Sequence, residues 1–440
     1  MKKIISSFII LIIVIGCNNR QRLHDDRHPT TIIPGQYIVI MKDAFEEPVI
    51  NHRQNDPNRA TQRDKNKRER DRKEKKVKDF LKGKEVGNAK QKMLFADAKV
   101  GAVIRVDQAK ADEINADPNV EFVIPDATIQ INPIQQSEED AINPIQQWLS
   151  PIVPADQINP IQQDDALQTR YDIDIARHWT NALVAAGGPT DGSAKTSVIW
   201  FLDTGIDPTG GLLNVNTVLA THFIGSSWTD DNGHGTFCAG VAAGRFIRGS
   251  AVLDEIHYGV SEGATVVPVK VLDGSGSGTW GTVIAGLNYV AQLSQAGDVV
   301  NLSLGSYYPG DIRCHYPALE RAISGVANSG VFVTLSAGNN AGNAMSNRPG
   351  CINGPNIFTV SSINADGSCA GYANFGTPVD FVTVGTRLFS LWTDGGYRMA
   401  SGTSVSSALL AGIIHASGGP PATGGTVNCM GVNYPIGIRR

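Results

Sequence analysis

From about residue 168 the chain alternates short, continuous apolar runs with longer stretches whose apolar residues recur at helical spacing. Strands are expected at 197–202, 265–271, 299–304, 331–335, 357–360 and 379–384, and helices at 234–243, 280–293, 316–327 and 404–414. Strands apolar along their whole length are buried on both faces, so this alternation predicts an α/β unit. Its sheet would be doubly wound and mostly parallel, with helices on both faces. Residues 418–440 carry many glycines and prolines and read as a surface tail.

The amino-terminal part follows a different pattern. Met1-Lys2-Lys3 precedes an apolar run from Ile4 to Ile15, too short to span a bilayer comfortably and matching a secretory signal. Residues 18–33 are polar and read as a tether. A strand is expected at Tyr37–Met41, another at 102–106, a helix near 108–116 and a further strand near 119–126. These describe a small α+β unit over 34–130. Within it, residues 51–78 hold twelve Lys/Arg against five Asp/Glu and almost no apolar residue. That composition predicts a solvated helix or a disordered insertion rather than core. A patch for nucleic acid or an anionic membrane is the sharper reading, but the net charge of −4 gives no overall pull toward polyanions.

Between the two units lies an identical hexapeptide in three copies, Ile-Asn-Pro-Ile-Gln-Gln at 131–136, 142–147 and 158–163. Copies begin 11 and 16 residues apart, so this is no solenoid. Residues 131–165 read as an extended linker, with processing or partner binding as the alternative.

Of six cysteines, Cys17 ends the signal-like run. The remaining five are odd in number; Cys238 lies in a helix-core pattern and is taken as unpaired, while the other four allow three pairings.

Four polar residues stand where an α/β sheet places its chemistry, at strand ends and helix starts. Asp203 follows the 197–202 run. His234 stands in Gly233-His234-Gly235 at the start of a small-residue helix, 31 residues on. Asn339 follows Leu335-Ser336-Ala337-Gly338. Ser404 opens the apolar helix of Ser401-Gly402-Thr403-Ser404-Val405. Each alone has an ordinary structural explanation, as turn carboxylate, solvated imidazole, turn amide or helix cap. Together they supply an orienting acid, a base, an oxyanion donor and a nucleophile at a helix amino terminus. Zinc is not indicated, since neither His-x3-His nor Cys-x2-Cys is present here. Asp203-Thr204-Gly205 resembles the aspartic-protease signature, but that chemistry needs two such carboxylates. A nucleotide-binding enzyme would need a glycine-rich phosphate loop after the first strand, where Asp203-Thr204-Gly205-Ile206-Asp207-Pro208 stands instead.

The order Asp, His, Ser and the stretches "FLDTGID", "GHGTFCAG", "NLSLG", "LSAGNN" and "SGTSVSSALLAG" resemble the subtilisin-like serine proteases over about 240 residues, and Cys238 is similar to the free cysteine of the proteinase K-like branch. The resemblance implies His234 as general base, Asp203 as its orienting carboxylate, Ser404 as nucleophile, and Asn339 with the Ser404 N–H as oxyanion donors. It further implies that Gly276-Ser277-Gly278 and Ser303-Leu304-Gly305 pair with an extended polypeptide substrate, and that Ser336-Ala337-Gly338 wall the primary pocket. No cofactor is required; a structural calcium at Asp380 with the carbonyls of Pro355 and Ile357 is implied. "PGQYIVIMK" and "DPNVEFVIPD" resemble the ends of the family's propeptide inhibitor domain, so residues 34–130 are expected to bind the catalytic unit, 166–417, in cis. Val14-Ile15-Gly16-Cys17 is similar to a bacterial lipobox, implying a lipidated Cys17 and an envelope location. Two departures stand out: Ala408-Leu409 replace the family's Pro-His, and 36 residues follow Ser404, fewer than usual in the family. The expected molecule is an exported, monomeric serine endopeptidase made as a zymogen, with no nucleic-acid partner and no membrane contact beyond the anchor. The rival reading is an inactive relative serving as an envelope-binding or adhesion protein.

Overall fold

A computed structural model describes residues 31–42, 59–96, 100–131, 185–245 and 259–440. The signal-like segment with Cys17, most of the tether, and the linker with its repeats apart from Ile131 lie outside the described residues, as do residues 51–58 of the basic stretch.

The amino-terminal unit is a four-stranded antiparallel sheet: β1 (Ile32–Met41), β2 (Gln91–Phe95), β3 (Gly101–Arg105) and β4 (Val120–Ile131), with β1 between β3 and β4. Helices α1 (Arg59–Gly83) and α2 (Gln108–Asn115) complete it. Alternation along β1 decides which face meets what. Tyr37, Val39 and Met41 join Val77 and Leu81 of α1 and Ile114 of α2 in one core. Ile38 and Ile40 point the other way, into a core shared with the second unit. In its described part the basic stretch forms a largely solvated helix, as its composition allowed, but one that also carries a buried stripe. Lys73, Val77 and Leu81, spaced by four, form the buried stripe of α1, and the charged residues around them stay in water.

The second unit is built on a ten-stranded sheet. Its path runs β5 (Ile199–Asp203), β6 (Thr265–Lys270), β8 (Val299–Leu302), β10 (Phe332–Ser336), β11 (Ile357–Ile363) and β12 (Val379–Val384) in the spatial order β6-β5-β8-β10-β11-β12, all parallel. Two short strands, Asn214–Val215 and Thr221–His222, pair with β6 at one edge. Side chains of β5 alternate between two cores. Ile199 and Phe201 meet α3 (His234–Ala243) and α6 (Thr403–Ser417), while Trp200 and Leu202 meet α4 (Trp280–Leu293) and α5 (Pro317–Asn328). Helices therefore cover both faces. Residues Thr403 to His415 of α6 are all buried, as expected of a helix apolar on every side.

Two expectations are corrected. The run 299–304 is not one strand: it breaks at Ser303, whose hydroxyl bonds the Ser404 carbonyl at 2.8 Å and the Ser407 hydroxyl at 2.9 Å. Beyond the break, β9 (Leu304–Tyr307) leaves the parallel sheet. Residues 418–440 are not a loose tail either. They form a hairpin, β13 (Ala422–Cys429) and β14 (Val432–Ile438), and β14 extends the main sheet beside β12 at Val382↔Ile436. Cys429, at the hairpin's end, bonds Cys369; Cys314 bonds Cys351; Cys238 is free and buried. The unpaired cysteine was legible, the pairing was not.

Candidate active site

Asp203 is the last residue of β5 and fully buried. His234 is the first residue of α3, and its Nδ1 lies 2.7 Å from Asp203 Oδ1. That contact assigns the proton to Nδ1 and leaves Nε2 as the acceptor nitrogen. Nε2 is buried and has no hydrogen-bond partner among the described residues. Gly233, in the left-handed region at φ 111°, and Gly235, where a Cβ would meet the Gly205 carbonyl at 2.1 Å, let the chain turn into α3 this close to β5.

Ser404 sits in the first turn of α6, where backbone N–H groups lack helical partners. Its hydroxyl donates to the Ser303 carbonyl at 3.2 Å. Cys238, one turn along α3 from His234, has its Sγ 3.9 Å from the Ser404 carbonyl, so α3 and α6 meet at this point. Burial raises the Cys238 thiol pKa well above its ordinary value, which keeps the sulfur neutral and unreactive. Asp203, His234 and Cys238 bring ligand-capable atoms within 4.8 Å of one another, but the imidazole is committed to the carboxylate and the thiol resists deprotonation.

Asn339 follows β10. Its Oδ1 accepts the Thr403 N–H at 2.9 Å and the Thr403 hydroxyl at 2.8 Å, which fixes the amide plane. The amide nitrogen faces Gly402, where a Cβ would meet it at 3.2 Å. The adjoining segment is tied down too: the Gly338 N–H donates to Thr403 Oγ1 at 3.0 Å, and the Ala337 and Ser336 carbonyls accept from Asn374 and Asn347.

The two segments expected to pair with a polypeptide are both already paired. Strand β7 (Ser277–Thr279) pairs antiparallel with β4 through Ser277↔Gln130, Gly278↔Ile129 and Thr279↔Thr128. On the other side β9 pairs with it through Leu304↔Ile131 and Gly305↔Gln130, and the Ile131 N–H donates to the Gly276 carbonyl at 2.8 Å. The end of the amino-terminal unit therefore lies as an added strand between the two segments expected to hold a polypeptide. Asp126 secures it: fully buried, it accepts the Gly281 N–H at the start of α4 at 3.1 Å and the Gln36 amide at 2.8 Å. Desolvation raises its pKa despite those donors.

One residue escaped the sequence reading. Asp230 is buried and accepts from the Thr204 hydroxyl, the Asn232 and Gly233 N–H groups, and both the N–H and hydroxyl of Thr236. It stitches the loop after β5 to the turn carrying His234. Within Thr229-Asp230-Asp231-Asn232-Gly233 it looks like ordinary polar loop. Asp380 lies on β12 and accepts the Thr359 N–H at 2.8 Å.

Comparisons with known proteins show what the chain is similar to. The Subtilase family model matches residues 194–416. The subtilisin-like serine protease Pen ch 13 of Penicillium rubens is 28% identical over 389 residues, 87% of this chain and 81% of that protein. Proteinase T of Parengyodontium album is 34% identical over 237 residues, 52% of this chain and 74% of its own. A solved structure of a cold adapted subtilisin-like serine proteinase aligns at 33% identity over 51% of this chain and 74% of its own, with a TM-score of 0.42. The family model covers the β5-to-α6 unit and ends within α6, and on that match the chain belongs to the subtilase family and is a subtilisin-like serine endopeptidase.

Proposed function

We propose that the protein is a zymogen whose amino-terminal unit blocks its own cleft, and that Asp203, His234 and Ser404 cut polypeptides through an acyl-enzyme. The observation that carries this reading is β4, held antiparallel by both cleft edges and ending beside the Ser303–Ser404 contact. In the reaction His234 Nε2 takes the proton of Ser404 Oγ as that oxygen attacks the substrate carbonyl. Asp203 holds Nδ1–H and stabilises the imidazolium. Asn339, its oxygen already committed to Thr403, turns its nitrogen toward the developing oxyanion, joined by the Ser404 N–H. His234 then returns the proton to the leaving amine, and water releases the acyl group.

Gly276–Gly278 and Ser303–Gly305 are the substrate rails in this reading, and Ser336–Gly338 wall the pocket. Export with a lipid anchor on Cys17 belongs to the same proposal. Among the described residues no helix is long and apolar enough to cross a membrane. A structural calcium fits the chemistry of Asp380: burial pushes its pKa up to about 6, and a cation shared with the Pro355 and Ile357 carbonyls would reverse that.

Labelling with a fluorophosphonate tests the assignment. Covalent label lost in Ser404→Ala, on a chain shortened by removal of the amino-terminal unit, is the expected result. A folded, shortened chain that takes no label would leave only an inactive, binding role.

A further inference from the structure

The threefold hexapeptide begins at Ile131, the last described residue of β4. Ile131 rests on Gly276 and faces Leu304, and Gln130 faces Gly305. In an antiparallel ladder one step forward on a strand is one step back on its partner. A peptide continuing this register therefore brings the residue after Ile131 opposite Ser303, whose carbonyl accepts the Ser404 hydroxyl at 3.2 Å. In the hexapeptide that residue is asparagine, so a copy bound in this register would offer Ser404 its Asn–Pro bond.

From this the geometry points to the Ile-Asn-Pro-Ile-Gln-Gln repeats as cleft ligands that resist hydrolysis, three tandem inhibitory sequences built into the zymogen. The inference rests on the catalytic reading above and deepens it. A residue before proline is confined to extended conformations, the shape the cleft requires, so the peptide loses less freedom on binding. Cleavage is what proline obstructs. Attack would join Ser404 Oγ to the asparagine carbonyl carbon and move the hydroxyl proton to His234 Nε2. The C–N bond breaks only when that proton reaches the leaving nitrogen, which in proline carries a ring carbon where other residues carry hydrogen. The adduct instead expels Ser404 Oγ, which recovers its proton, and the peptide stays whole.

The copies match where the cleft reads them. Gln130 precedes the first and Gln157 the third, so the residue facing Gly305 is repeated, while the second has Ala141. When the chain is cut elsewhere, a copy remaining on the catalytic unit can still return to the cleft. Maturation must then remove the repeats rather than merely detach the amino-terminal unit.

Two measurements test this on the full chain. The first compares the wild type with a P133A, P144A, P160A variant, reading new termini by mass spectrometry and Ser404 occupancy by fluorophosphonate. The variant should be cut after residue 132 and take label faster, with no termini at residues 133, 144 or 160 in the wild type. The second adds the nonapeptide matching residues 128–136 to the variant preparation. It should slow labelling and be recovered intact, while the same peptide with Pro→Ala is cut at least about a hundredfold faster. Wild-type cleavage at an Asn–Pro bond would overturn the inference, and so would a variant that labels at Ser404 without being cut after residue 132. A nonapeptide without effect on labelling would overturn it as well. If no preparation takes label that Ser404→Ala abolishes, the catalytic reading itself fails and the inference with it.

Discussion

Asp230 grips Thr236 twice, accepting its N–H at 2.9 Å and its hydroxyl at 2.6 Å, and so fixes the first turn of α3 two residues from His234. A carboxylate accepting this many donors cannot be replaced by an amide without loss, because one side of an amide donates rather than accepts. Asp230→Asn is expected to cost about 1.5–3 kcal/mol of stability. Because the imidazole then loses its fixed placement, kcat should fall about ten- to a hundredfold with little change in KM. Equal loss in KM would show that Asp230 shapes substrate binding instead.

Gly276 has φ +76°, and a Cβ there would lie 2.8 Å from the Ile131 side chain. Gly276→Val combines left-handed strain with a clash against the strand in the cleft. We expect a chain that remains folded but binds its amino-terminal unit more weakly, and that shows a KM raised about tenfold on peptide substrates. Hydrogen exchange at the Ile131 amide, bonded to Gly276, should accelerate in parallel.

Asp126 caps the start of α4 from the other unit. Its raised pKa means that the docked form holds the proton more tightly than the free carboxyl, so this contribution to docking is present at low pH and is lost as pH rises through the raised value. Asp126→Asn keeps an acceptor for Gly281 and removes the titration. Labelling of Ser404 should accelerate with pH in the wild type, and the part of that dependence due to Asp126 should vanish in Asp126→Asn. An unchanged profile would place the pH sensitivity in other groups.

Asp380 offers a second pH test. Its pKa of about 6 exceeds the ordinary 3.8, so the stability it contributes is present below about 3.8 and lost as pH rises through about 6. Thermal melts in chelator should show Asp380→Asn gaining on the wild type between pH 4 and pH 7. Added calcium should raise the wild-type Tm above pH 6 and leave the variant unmoved.

The Cys369–Cys429 bond closes a separation of 60 residues and ties the final hairpin to the main unit. Cys429→Ser should cost about 2–4 kcal/mol. Far-ultraviolet circular dichroism should still report the parallel sheet, while proteolysis nicks the hairpin first.

Periodicity and strand-end residues were enough to read the parallel sheet, its helices and the four polar residues of the site. Buried strands leave continuous apolar runs, and a parallel sheet presents the ends of those runs to one crevice, so Asp203, His234, Asn339 and Ser404 stood out in one dimension. The hairpin did not, because Ala422–Cys429 is mostly exposed, Val432–Ile438 is mostly half-buried or buried, and neither carries a strong alternation; only pairing with β12 and the bond to Cys369 make them strands. The buried stripe of α1 was obscured by its charges, since three buried positions in a lysine-rich run give almost no periodic signal. The break at Ser303 and the role of Asp230 were equally hidden, for each depends on partners far along the chain or folded back from it. What the sequence by itself supplied was a set of candidate groups, Asp203, His234, Asn339 and Ser404, and the order in which they come. Tertiary structure alone decided how β4 meets the two segments expected to hold a polypeptide: its backbone pairing with β7 and β9 depends on the path of the chain and on unpaired edge N–H and C=O groups, which nearly every residue carries alike.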